Sequence, residues 1–168
     1  AGNGGADGIA ATGSILVRTM DDGLVLNGGD TNGAEARVGH GGEGTVADTS
    51  GEIALELDRG SAAGDLVVSA GNAPGSTAAV GHGGEDAEGA KGGAIEVTAG
   101  SVELTGGGLG STESEARIGH GGRNGRGDID GDIMVTTTDG GVNLDGGAGD
   151  DGAAQIGQGG AGYSGVTT

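Results

Sequence analysis

The residues best equipped for chemistry are His40, His82 and His120, and all three stand in one tetrapeptide, Gly-His-Gly-Gly. Gly157-Gln158-Gly159-Gly160 repeats it with glutamine, and Gly2-Asn3-Gly4-Gly5 repeats it with asparagine. The middle residue thus reads Asn3, His40, His82, His120, Gln158, at spacings of 37, 42, 38 and 38. Three imidazoles invite a metal centre, and zinc needs its ligands within about 2.0–2.1 Å of one point. A period of this size points instead to stacked repeats. Equivalent side chains on successive coils then lie parallel, about 4.8 Å apart, and do not converge. Asn3 and Gln158 can replace histidine as hydrogen-bond partners but not as zinc ligands. The five residues are therefore expected to form a structural ladder, as amides do in stacked sheets, each ring using one nitrogen to donate and the other to accept. Stacked imidazoles oppose charging one another. That lowers their folded-state pKa, so stability is expected to fall as the pH drops through about 6.5.

Other residues have chemical potential of their own. Asp128, Asp130 and Asp132 put three carboxylates at alternating positions, and calcium is the candidate ligand for such an oxygen set. A full EF-hand loop is missing, and Gly146-Gly147-Ala148-Gly149-Asp150-Asp151 matches only half of the glycine-rich calcium nonapeptide. Arg126-Gly127-Asp128 is a cell-attachment tripeptide of the integrin type, expected in an exposed loop. Glu35, Glu113 and Glu115 read as plain surface charge. There is no nucleophile elbow and no acid–base histidine beside a nucleophile. Tyr163 is the single aromatic residue and offers no platform for sugar stacking. Thr136-Thr137-Thr138 occurs once, with no ladder of the ice-binding kind continuing from it. The expectation is a protein without catalysis and without a cofactor, calcium being the one candidate.

The elements that would carry these residues follow from the aliphatics between the tetrapeptides. A first run has Ile15 and Val17, then Ile53, Leu55 and Leu57, then Ile95 and Val97, then Ile133 and Val135. A second has Leu24 and Leu26, Leu66 and Val68, Val102 and Leu104, Val142 and Leu144. A third leads into the motif: Ala36-Arg37-Val38, Ala78-Ala79-Val80, Ala116-Arg117-Ile118, Ala154-Gln155-Ile156. Alternation of this kind is the strand signature. The constant residues face in, and the variable ones between them, Arg37, Ala79, Arg117 and Gln155 among them, face out. Helix is a poor alternative because Gly costs about 0.8–1.0 kcal/mol relative to Ala in a helix interior, and 46 of 168 residues are Gly.

The chain is therefore expected to be all-β: a right-handed parallel β-helix of about four three-strand coils of 37–42 residues. It forms a single domain, 1–168, with a partial repeat at 1–12 and full repeats at 13–50, 51–91, 92–130 and 131–168. The extra residues of the second repeat fall in 59–65, and the acidic loop Glu85-Asp86-Ala87-Glu88-Gly89 is expected to be exposed. A register with two coils of about 19 residues per repeat fits the pattern less well, because the three runs match only across the full period. Uncapped ends present open strand edges, which continue into further coils or stack on another copy.

Composition narrows the partners. A net charge of -18 argues against nucleic acid and against anionic membrane surfaces. With no cysteine there are no disulfides and no thiol chemistry. No apolar run reaches the ~18 residues of a membrane span. The chain opens inside a motif, as expected of a mature piece or a fragment of a longer fibre.

Ala116-Arg117-Ile118-Gly119-His120-Gly121-Gly122, followed by Gly131-Asp132-Ile133-Met134-Val135 and Gly141-Val142-Asn143-Leu144, resembles the repeat regions of large bacterial exoproteins of the filamentous-haemagglutinin type. The resemblance implies a right-handed parallel β-helix, secretion by the two-partner route and display at the cell surface. The expected function is the shaft of a secreted or cell-surface fibrous adhesin, in adhesion or biofilm matrix, meeting a host or neighbouring cell. The alternative is a subunit that stacks end to end into an extracellular filament or sheath.

Overall fold

Short alternating runs separated by Gly, Asp, Asn and Ser cannot bury an apolar face alone, so each repeat takes its hydrogen bonds from the next. The computed structural model describes residues 10–58, 60 and 62–168. Asn3, the partial repeat before residue 10, and Arg59 and Ser61 of the second repeat lie outside the described residues.

The first coil holds β1 (Ala11–Thr12), β2 (Ile15–Arg18), β3 (Leu24–Asn27) and β4 (Glu35–Val38). The second holds β5 (Thr49–Ser50), β6 (Ile53–Glu56), β7 (Leu66–Ser69) and β8 (Thr77–Val80). The third holds β9 (Lys91–Gly92), β10 (Ile95–Ala99), β11 (Val102–Thr105) and β12 (Glu115–Ile118). The fourth holds β13 (Ile129–Asp130), β14 (Ile133–Thr137), β15 (Val142–Asp145) and β16 (Ala153–Ile156). The four sheets run β1-β5-β9-β13, β2-β6-β10-β14, β3-β7-β11-β15 and β4-β8-β12-β16, every pair parallel. The molecule is an all-β parallel solenoid of about four turns.

Register follows the sequence columns. Ile15, Ile53, Ile95 and Ile133 are successive partners, as are Leu24, Leu66, Val102 and Val142. Ile53, Leu66, Val68, Ile95 and Leu104 are fully buried, while Ile15, Leu24, Ile133 and Ile156 of the outer coils are half-buried against them. Ile95 lies between Ile53 and Ile133 in the middle of this line. Replacing Ile95 by Ala is expected to cost about 2–5 kcal/mol in urea unfolding, and the same change at Ile133 less.

Two features depart from expectation. Each coil has a fourth strand of two residues, whose column reads Ala11, Thr49, Lys91, Ile129. No common apolar character marks that column, so three runs were visible and the fourth was not. The third-run residues expected to face solvent are covered: Ala79 and Arg117 are buried, and the Arg37 side chain is only 7% exposed. The two guanidinium groups meet backbone carbonyls of the tetrapeptide corners, Gly81 for Arg37 and Gly119 and Gly121 for Arg117. The longer second repeat places its extra length between β6 and β7, where Leu57 is buried and its carbonyl accepts the Gly64 N–H at 2.6 Å. Within 85–89, Asp86 and Glu88 are exposed but Ala87 is buried. No helix among the described residues is long and apolar enough to cross a membrane.

Candidate functional site: a histidine column

Each tetrapeptide turns the chain out of its third long strand. Gly81 and Gly83 take φ of +148° and +85° on either side of His82, a backbone that L side chains rarely adopt. The corner aims the imidazole across the coil. His82 Nε2 lies 2.8 Å from Gly51 O, His40 Nε2 lies 2.8 Å from Gly13 O, and His120 Nε2 lies 2.7 Å from Gly93 O. Those carbonyls stand just before the first long strand of the same coil, so each ring ties the two ends of its turn together.

The second nitrogen joins one coil to the next. The His40 backbone N–H donates to His82 Nδ1 at 2.9 Å, and the His82 N–H donates to His120 Nδ1 at 3.0 Å. An Nδ1 that accepts leaves the proton on Nε2, which donates to the glycine carbonyl. The rings stack, with centroids 5.0 and 4.8 Å apart and planes 9° and 5° from parallel. Gln158 reproduces the pattern with an amide: its Oε1 accepts the His120 N–H at 2.7 Å, and its Nε2 donates to Gly131 O at 2.8 Å. The ladder of His40, His82, His120 and Gln158 is thus present, but its rungs run from side chain to backbone rather than from side chain to side chain. Asn3 lies outside the described residues.

His82 and His120 are wholly buried. Burial is the main force on their titration, pushing His82 down to about 4 and His120 down as well. The hydrogen bonds to Gly51 and Gly93 oppose it, and the neighbouring imidazoles add a smaller push on His82. The expected direction is right, but the leading cause is desolvation, not ring–ring repulsion.

Three buried cations surround this corner, and nothing in the alternation pattern marked them. Arg37 donates to Gly81 O at 3.0 Å and pairs with Glu35. Arg117 donates to Gly119 O at 3.3 Å and to Gly121 O, and meets Glu115 at 3.0 Å. Lys91 is 2% exposed, and its Nζ donates to Ala87 O at 3.2 Å, Gly89 O at 2.7 Å and Arg126 O at 2.7 Å. Burial pushes the Lys91 ammonium down to about 8, with Asp48 and Glu88 pulling the other way. Its Nζ stands 5.6 Å from the Tyr163 ring centroid, a cation–π contact. Lys91 is the one lysine and Tyr163 the one aromatic of the chain. That singularity was the available signal.

The remaining candidates are dispersed. Glu35, Glu113 and Glu115, read as plain surface charge, each pair with an arginine: Arg37, Arg123 and Arg117. Asp128, Asp130 and Asp132 are exposed around β13. Asp128 Oδ1 accepts the Val166 N–H at 3.1 Å, and Asp130 Oδ1 accepts the Thr168 hydroxyl at 3.3 Å. Among the described residues no group of three or more His, Cys, Asp or Glu is placed to hold a metal ion. Arg126-Gly127-Asp128 lies in the connection between β12 and β13, with Arg126 and Asp128 exposed. Arg126 N–H donates to Ala87 O at 2.8 Å, Gly127 N–H donates to Ser164 O at 3.1 Å, and the segment is laced between neighbouring coils with its two charged side chains outward.

Arg37, Thr77, Ala79, Glu85, Glu113 and Arg117 are among the residues lining a cleft of about 80 Å³. Burial pushes the Glu85 carboxyl up. Both polar side-chain atoms of His82, His120 and Gln158, and Nε2 of His40, are engaged with backbone, so the chemistry of the column is cohesion between coils. Comparison of the chain with family models, with curated proteins and with solved structures gives no match.

Proposed function

We propose that the chain is structural: a length of parallel β-solenoid that serves as the shaft of a secreted or cell-surface fibrous adhesin, in adhesion or biofilm matrix, without catalysis. The observation that carries this reading is the column, in which His82, His120 and Gln158 each accept a backbone N–H of the preceding coil and so join one coil to the next. A rigid stack with an acidic, hydrated exterior of net charge -18 suits an extended spacer, and repels nucleic acid and anionic lipid alike. The resemblance to repeats of the filamentous-haemagglutinin type points the same way, with a host or neighbouring cell as the partner and the bacterial surface as the place. Antibody to the turn around Leu109, which is 85% exposed, is expected to label the outside of intact source cells or their fibres. Label confined to the cell interior would remove the reading.

A second reading is favoured by the fourth coil. Val142 and Leu144 are 46% and 49% exposed, while their register partners Val102 and Leu104 are 1% and 0% exposed. One more coil laid over β15 would bury them, and another copy of the chain can supply it. The isolated chain is then expected to form fibres whose sedimentation depends on concentration, and Val142→Asp with Leu144→Asp to keep it monomeric. Sedimentation as a monomer at all concentrations would leave only the shaft.

A further inference from the structure

The column has a property that a purely structural ladder of amides lacks. His82 Nδ1 holds the second coil to the first through the His40 N–H, and His120 Nδ1 holds the third to the second through the His82 N–H. Gln158 Oε1 holds the fourth to the third through the His120 N–H. An imidazole that gains a proton from solvent becomes a donor at both nitrogens. Its Nδ1–H then faces a backbone N–H across the coil boundary, and the bond between coils becomes a repulsion. An amide at the same place has no such second state.

We propose that the histidine column is an acid-operated release, in which protonation of His82 and His120 parts the stack at the first and second coil boundaries while Gln158 keeps the third closed. Apart from the Gly51 and Gly93 carbonyls, which favour the charged ring, the surroundings give an imidazolium no shelter. From β4, Arg37 binds the carbonyl of Gly81, next to His82; from β12, Arg117 binds the carbonyl of Gly119, next to His120. From β9, the Lys91 side chain runs so close to Gly83 that a Cβ there would lie 2.6 Å from Lys91 Cε. The carboxylates of Glu35 and Glu115 are taken by the two arginines, and Asp48 and Glu88 act on Lys91. Ile53, Ile95 and Ile133 of the first long sheet are apolar. All the ring nitrogens in the column that bond do so to backbone.

The direction follows from linkage. His82, held down to about 4 in the fold, returns to about 6.5 once the rung opens. The open state therefore takes up protons first, and closure of that boundary weakens as the pH falls through that window. The column behaves in this way whether or not the chain belongs to a fibre.

The test is amide hydrogen exchange by NMR on the whole chain between pH 7 and pH 4.5, corrected for intrinsic rates. Protection of the His40 and His82 amides is expected to fall by up to about tenfold per pH unit below 6.5, while that of the His120 amide stays constant. Loss of protection at all three together, or at none, would overturn the proposal. A His82→Gln, His120→Gln variant supplies the second arm. It keeps both hydrogen bonds in the manner of Gln158, so protection of the amides at 40 and 82 should no longer depend on pH. An unchanged dependence would place the acid sensitivity elsewhere, among the carboxylates.

Discussion

Gly81→Ala is expected to destabilise the stack severely at neutral pH. A Cβ at this position would lie 2.0 Å from Gly119 O and 2.6 Å from Gly119 C, both backbone atoms of the next coil. Backbone there cannot swing aside, because the Gly119 N–H donates to Val80 O at 2.8 Å and the Gly81 N–H donates to Val38 O at 2.9 Å. Making room parts the coils at the corner where His82 and His120 join them, so the clash, the ladder bonds and the rung are lost together. The cost exceeds about 4 kcal/mol, at the far end of single substitutions, against a total stability of about 5–15 kcal/mol for a domain. Gly44→Ala is the control. Gly44 takes φ of +64° but a Cβ there meets nothing within 4 Å. Only the left-handed backbone penalty of about 1–2 kcal/mol remains. Far-UV circular dichroism with urea titration reads both; equal midpoints for the two variants would mean that close approach between coils is not what Gly81 provides.

The second large effect is expected from Lys91→Met, which keeps most of the volume and removes the ammonium. Ala87 O keeps the Arg126 N–H as a donor. Gly89 O and Arg126 O lose the Lys91 Nζ contacts of 2.7 Å. Orphaned buried acceptors cost about 1–3 kcal/mol each, so a loss of roughly 3 kcal/mol is expected in urea unfolding, less whatever desolvation the neutral side chain saves. The pH dependence distinguishes this from lost packing. Lys91 is held down to about 8 in the fold and returns to about 10.4 when unfolded. The unfolded chain binds the extra proton over that range, so wild-type stability rises with pH there and the gap to the Met variant widens between about pH 8 and 10. A gap that stays constant or narrows would show that the amine is not the buried base described.

Much of the solenoid is legible without coordinates, and the reason is local. Strand alternation has a period of two, and the coil repeats it about every forty residues. Ile15, Ile53, Ile95 and Ile133 could therefore be placed over one another before any distance was known. The tetrapeptide told the same story, since glycine pairs flanking a polar residue mark a corner and parallel stacking forbids convergence on a metal. The stacking itself is seen: the rings lie 4.8 and 5.0 Å apart.

Arg37 and Arg117 show where such reading ends. Alternation assigns them correctly to the face away from the aliphatic core, but says nothing of the corner carbonyls that their guanidinium groups meet. A second interior exists only once the chain has wound. Lys91 belongs to it too, in a two-residue strand with no repeating character. The ladder's true partners, backbone N–H groups of the preceding coil, likewise come into being with the axial rise. What the order of residues determined by itself was therefore the periodic part: coil, register, corner and the column of His40, His82, His120 and Gln158. What only the tertiary structure decided was which polar groups lie inside and what they bond, because burial and hydrogen-bond partners across coils depend on segments some forty residues apart meeting at about 4.8 Å, and no short window of sequence contains both.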